Sequence, residues 1–443
     1  MQKTKTKKLQ VVFESLIAAE TEIEDHPAAQ KEEASGSSKS KGKAWEFLAM
    51  ATIPLVLVLG NSMIIPVLPQ MQKELGISQF QTTLTITLFS VTAGVFIPVL
   101  GYLSDRFTRK AIMIPALIVY GGAGILAGFG AIWDSYWVLI TARAIQGLGA
   151  AGTAPIAMAL VGDLYEGGTE SKALGLIEAS NGTGKVLSPI IGSLLALIVW
   201  YAAFFAFPAF CLLSLLAVLF MIKEPGKEKK APKLGVYIRK IGHILKEKGR
   251  WLITAFFVGS LALFTLFGIL FYLSDILEKE PYKIDGVLKG LILAIPLLGM
   301  VTTSYVTGSL IKKNGVLIRW LMNIGLAAAA SSLALTIFFN KNIYVFIGLL
   351  TLSSIGTGLV LPCLNTMITG AVSKGERGMI TSLYNCLRFL GVAFGPPLFS
   401  WLMGLNKTND TAVFLTVTVL AVIALALVFF LIKPDRNLSK SQG

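Results

Sequence analysis

The chain has 443 residues, 54% of them hydrophobic and 14% charged, with mean hydropathy +0.71 and a formal charge of +14. A soluble protein carries about a quarter charged residues, and here the charges fall in short islands between apolar stretches of about 20 residues, the length of a bilayer-spanning helix. A soluble domain is excluded, and the positive balance, which would suggest nucleic acid in a soluble chain, follows instead from the collection of Lys and Arg in cytoplasmic loops.

Residues 1–43 are polar. Leu9, Val12, Phe13, Leu16 and Ile17 follow helical spacing and allow a short amphipathic surface helix, whereas EEASGSSKSKGK has the composition of a flexible linker. Most of this tail is expected to be disordered. A secretory signal is not expected, because Glu14 interrupts the apolar part and acids follow it.

Twelve apolar spans follow, at 46–68, 79–100, 110–131, 137–160, 173–196, 201–222, 251–273, 288–307, 317–338, 343–366, 379–403 and 412–432. The polar stretch 223–250 divides them six and six into segments 44–222 and 251–432, and its middle, GVYIRKIGHIL, has the pattern of a basic amphipathic helix. The lysine load of this stretch places it in the cytoplasm, and an even number of spans then places both termini, including 433–443, on the same side. RFTRK and IKKNG agree with that orientation, WDSY carries no Lys or Arg, and EKEPYKID is mixed.

The two sixes repeat. GYLSDRFT at 101–108 aligns with GSLIKKNG at 308–315, an offset of 207 residues, and the same offset takes Gly149, Pro155, Gly184 and Pro189 to Gly356, Pro362, Gly391 and Pro396. The fold class is therefore an all-α membrane protein of twelve transmembrane helices in two homologous six-helix bundles, the arrangement by which secondary transporters build a central site.

Four stretches carry a family resemblance. GYLSDRFTRK matches the pattern G-x-L-x-D-R-x-G-R-K (motif A) at Gly101, Leu103, Asp105, Arg106, Arg109 and Lys110, with Thr108 where a glycine is usual. LGNSMIIPVLP matches L-G-x5-P-x-x-P at Leu59, Gly60, Pro66 and Pro69, and LITARAIQGLGAA matches motif B at Arg143, Gln146, Gly147 and Gly149. GKVLSPIIGS matches motif C at Gly184, Pro189 and Gly192, with Ser188 and Ser193 in place of glycines. By these the chain resembles the major facilitator superfamily, in particular its twelve-helix drug:proton antiporter branch, over 44–432. The resemblance implies that Asp105 helps close the cytoplasmic side against span 11, that motif C marks an exporter, and that Arg143 takes part in proton coupling. Gly101 is expected to serve a tight turn. Gly184, Gly192 and Ser188 are expected to let helices approach, with Pro189 permitting a bend. Lys312 stands where the second half would repeat Asp105, which makes any such latch one-sided.

The charges inside the spans are particular to this chain. Glu178 lies about 9 Å in from the cytoplasmic end of span 5 and Lys185 about 10 Å further; Arg143 reaches a similar depth in span 4, and Arg388 comes near the centre of span 11. Asn385 matches Glu178 at the 207 offset, and Asn61 stands in span 1. Each such charge costs several kcal/mol unless it faces water or a partner, which points to a polar central cavity. Glu178, with Arg143 and Asp105, is the candidate proton-coupling set; Lys185, Arg388, Asn61 and Asn385 are the candidate substrate residues. One acid against three bases favours anionic, zwitterionic or neutral cargo.

The resulting expectation is a proton-coupled efflux carrier of drugs or amphiphilic small molecules working by alternating access, multi-pass in a bacterial inner membrane, monomeric, and energised by the proton gradient without a cofactor. A dedicated exporter of an anionic metabolite, siderophore or lipid is the alternative, and a transporter-like sensor the alternative of another class. No metal-ligand spacing or nucleophile–base pair points to an enzyme, GTGK lacks the glycine and Ser/Thr of a phosphate loop, and Cys211, Cys363 and Cys386 offer no disulfide framework.

Overall fold

The structure is a computed structural model that describes residues 27–165, 167–222, 224, 234–311, 314–339, 342–370, 374–405 and 411–432. The possible helix at 9–17 and Lys312 lie outside them. The described chain divides into two units between Leu48 and Ala49. Helix α1 spans Pro27–Ser62. The expected linker at 32–43 has helical backbone instead. Ala28, Ala29, Gln30, Lys31, Glu32 and Glu33 favour helix, and extending a helix already nucleated by span 1 is far cheaper than starting one.

After α1 come a 3-10 turn (Ile65–Val67), α2 (Leu68–Glu74), α3 (Gln79–Arg106), α4 (Arg109–Ile132), α5 (Tyr136–Ala151), α6 (Ala154–Leu164), α7 (Gly167–Ala196) and α8 (Ala202–Met221). The second half contains α9 (Leu234–Glu278), α10 (Gly286–Leu310), α11 (Gly315–Phe339), α12 (Ile343–Gly370), α13 (Lys374–Leu405) and α14 (Thr411–Leu431). Span 4 is α5 and α6 together, broken at Gly152–Thr153 just before Pro155. Eleven described segments are long and apolar enough to cross a membrane. The thirty-residue α7 completes the twelve expected spans and falls outside that set because Glu178, Asn181, Thr183 and Lys185 lie along it.

Helix pairings repeat between the halves. α3 and α4 both pack on α5, and α4 on α8; α10 and α11 pack on α12, and α11 on α14, in the same relation. Between halves, α3 lies along α13 and α10 along α7. Close approach comes from small residues: a Cβ on Gly192 would stand 2.2 Å from Met63 O, and one on Gly391 would stand 2.1 Å from Ser260 O. These contacts seat α7 on span 1 and α13 on span 7.

The stretch 234–248 is the expected amphipathic helix. Gly249 (φ 25°, ψ −107°) turns the chain between it and span 7, a left-handed conformation that favours glycine. Tyr237 and Ile244 are buried, Arg239, Lys240 and Lys246 exposed, and the Tyr237 ring meets Tyr102 of α3 at 5.1 Å. The end of the molecule holding this helix and motif A is called the linker face below, and the opposite end the far face.

Candidate functional site

At the linker face motif A forms an ion network. Asp105 pairs with the Arg109 guanidinium at 2.5 Å, Arg109 Nε donates to Asp163 at 2.7 Å, and its Nη1 donates to Ser104 at 2.7 Å. Glu224 accepts the backbone N–H groups of Arg109 and Lys110, and Thr108 accepts that of Ala111 at 3.1 Å. Two side chains thus satisfy the free donors at the positive start of α4, and Thr108, the departure from the motif, is its N-cap. Lys110 Nζ donates to Leu219 O and Ile222 O, and Arg106 is exposed. Gly101 does not serve a turn as expected. It lies inside α3, and a Cβ there would stand 3.0 Å from Ser382 Oγ of α13, so its smallness serves the contact between halves. The Asp105 contact expected with the start of span 11 falls on side chains outside the described residues.

In the first half, Arg143 is 0% exposed. Its Nε donates to Thr85 O at 3.0 Å, its Nη1 to Gly60 O at 3.1 Å and to the Gln146 side chain, and its guanidinium lies 4.5 Å from the Phe89 ring centre. Gly60 belongs to the last turn of α1, where carbonyls lack intrahelical partners and the helix dipole favours a cation. The break follows from Pro66, which cannot continue the ladder. Arg143 therefore caps the broken end of span 1. Gly60 must be glycine, because the Tyr120 hydroxyl occupies the place of a Cβ. Asn61, the next residue, is buried with its Oδ1 unpartnered, and Arg143 Nη2 and Gln146 Nε2 are unpartnered as well.

Across the middle, α7 and α13 carry the second cluster. Lys185 and Arg388 are half-buried and lie close enough that their charges act on each other and on Glu178. Arg388 lies over the Tyr384 ring at 5.4 Å and reaches Asn385 Oδ1 at 3.4 Å. Among the described residues, no ion pair involves Lys185, Arg388, Arg143 or Glu178. Glu178 is exposed, Arg388 Nε, Tyr384 Oη and Asn181 Oδ1 are buried without partners, and Ser188 donates to Gly184 O. Gly184 packs on Leu55 and Val58 of span 1, and Pro189 lies within α7. Arg388 and Glu178 both act electrostatically on Lys185 and Asn385 meets Arg388, while Arg143 and Asn61 lie in a separate cluster.

At the far face a third cluster went unread in the sequence. α9 extends to Glu278, beyond the expected end of span 7 at 273, so Glu178 is not the one carboxylate within a spanning helix. Asp275 pairs with Lys279 at 2.5 Å, and Glu278 pairs with Lys289 at 2.5 Å and Lys73 at 3.6 Å. In the sequence these charges look like a mixed loop; only packing by residues distant in the chain buries them. No group of His, Cys, Asp and Glu among the described residues could hold a metal ion.

A family model described as Major Facilitator Superfamily matches residues 50–396 and 275–443. The chain is 42% identical over 394 residues to the bacillibactin exporter of Bacillus subtilis (strain 168), covering 88% of this chain and 97% of that protein. It is 28% identical over 369 residues to the multidrug efflux protein YfmO of the same organism, covering 82% and 87%. Among solved structures, the human organic anion transporter MFSD10 (TETRAN) superposes with a TM-score of 0.69 at 19% identity, covering 87% of this chain and 99% of that one, a likeness of fold.

Proposed function

The chain belongs to the major facilitator superfamily and is a multi-pass membrane transporter, and on that premise we propose that it exports an anionic siderophore or similar anionic metabolite by alternating access, coupled to proton entry. The observation that carries this reading is that Lys185 of α7 and Arg388 of α13 act on each other electrostatically, while neither has an ion-paired carboxylate among the described residues. Two cations at mid-depth are costly without a counter-charge, and an anionic cargo supplies one from each half of the molecule. The 42% relative named for bacillibactin favours a siderophore; relatives named for multidrug efflux, at 23–28% identity, favour the broader drug-export reading as second. On the lysine load of 223–250 the linker face is cytoplasmic.

In this reading Glu178 is the proton carrier. It is exposed on α7, within electrostatic reach of Lys185 and Tyr384. Its charge acts on Lys185, so protonation of Glu178 and the binding of an anion at Lys185 are linked. Glu178→Gln is expected to abolish uphill export in proteoliposomes while leaving downhill exchange within about threefold of wild type, since the variant resembles a permanently protonated carrier. Equal loss of both fluxes would remove Glu178 from coupling.

A further inference from the structure

At the far face the halves close over a pair of opposite charges. Lys289, in the first turn of α10, has a side chain 2% exposed, and its ammonium lies 2.5 Å from Glu278 at the end of α9, itself 12% exposed. The first half covers this end: the 3-10 turn Ile65–Val67 packs on α9 and α10, and α2 packs on α9. Ser274 donates to Ile65 O at 2.9 Å, and Lys73 of α2, 73% exposed, reaches Glu278 at 3.6 Å. Beside Lys289, a Cβ on Gly290 would stand 2.6 Å from both Pro189 O and Ser193 Oγ, so α7 and α10 touch closely here. Nearer the linker face, a Cβ on Gly175 or on Gly308 would meet nothing within 4 Å.

The groups around Lys289 are few. Glu278 acts on it most strongly, with Asp275 and Asp285 further contributors; Asp275 is itself held by Lys279 and Glu278 by Lys73. A buried pair of this kind is tolerated, whereas removing one partner leaves a buried charge that demands water.

We propose that Glu278 and Lys289 form the latch of the far face, which stays shut as long as neither buried charge is left without its counter-charge and opens when one of them is. This rests on the alternating-access reading above, with the P-x-x-P segment after span 1 as the moving cover. The latch is separate from the cargo cluster, and its residues are positioning residues.

The test uses the full-length chain with Cys211, Cys363 and Cys386 replaced by alanine and Ser193→Cys as reporter, in membrane vesicles of each orientation without cargo. Glu278→Gln is expected to raise labelling by a membrane-impermeant maleimide from the far-face side about fivefold or more, the shift from loss of a modest closing energy. Glu278→Gln with Lys289→Met is expected to return labelling to the starting level, because no unpaired charge remains. Unchanged labelling in Glu278→Gln, or equal labelling in the single and double variants, overturns the latch. As a second measurement that does not depend on these variants folding, Ile65→Cys with Ser274→Cys is expected to stop transport on oxidation and to recover it on reduction. Undiminished transport by the oxidised pair also overturns it. Labelling that follows the latch in a chain that moves no anion would instead count against the export reading.

Discussion

Lys185→Gln combined with Arg388→Gln is expected to lower export of anionic cargo at least a hundredfold in kcat/KM while neutral amphiphiles change by less than threefold. A hydrogen bond to a charged group contributes about 1.5–3 kcal/mol, and about 1.4 kcal/mol is tenfold. Two such contacts, one from each half, multiply, and they act when the halves rock together around cargo. Each single variant is expected to lose about tenfold. Glutamine keeps a polar group on α7 and α13, so Arg388's neighbours Asn385 and Tyr384 retain a partner of similar size. Equal losses for anionic and neutral compounds would mean that the two residues serve folding rather than cargo.

Arg143→Leu is the second large effect. Three acceptors lose their donor: Thr85 O, Gly60 O and the Gln146 side chain. An orphaned buried acceptor costs about 1–3 kcal/mol. Removing a buried charge works in the opposite direction. The loss wins, because Gly60 O in the last turn of α1 and the Gln146 side chain stay buried whatever residue stands at 143, while Thr85 O keeps its bond within α3. Thermal unfolding in detergent is expected to move to lower temperature by an amount reflecting about 3 kcal/mol or more, with transport lost both uphill and downhill. Arg143→Lys keeps the charge but lacks the planar fork that reaches several acceptors together, and falls between. Wild-type unfolding temperature in Arg143→Leu, with only uphill transport lost, would assign the residue to coupling instead of to the capping of span 1.

Much of this architecture is legible in the sequence because it is written in residue type and spacing. Apolar stretches of about 20 residues, the 207 offset and glycines where helices cross are all properties of the chain alone. The influence of Arg388 on Lys185 was half legible: the charges are plain, but whether they act on each other depends on how the two halves face each other. Arg143 was recognisable and its partners were not, because backbone carbonyls of Gly60 and Thr85 leave no mark in residue identity. Gly101 looked like a turn glycine since it precedes a polar loop, yet α3 continues to Arg106 and the need for a small residue comes from Ser382, 281 positions later. Lys289 and Glu278 were hidden for a similar reason. At helix ends, solvated and buried charges look alike until residues 64–74 are laid over them.

The most direct measurement is flux in liposomes reconstituted with the purified wild-type chain, loaded with bacillibactin or a simple organic anion and given an imposed pH gradient. The account predicts saturable movement of the anion against its concentration gradient, abolished by a protonophore and absent when the gradient is collapsed. Movement of lipophilic cations but of no anion, or anion flux indifferent to the gradient, would contradict it.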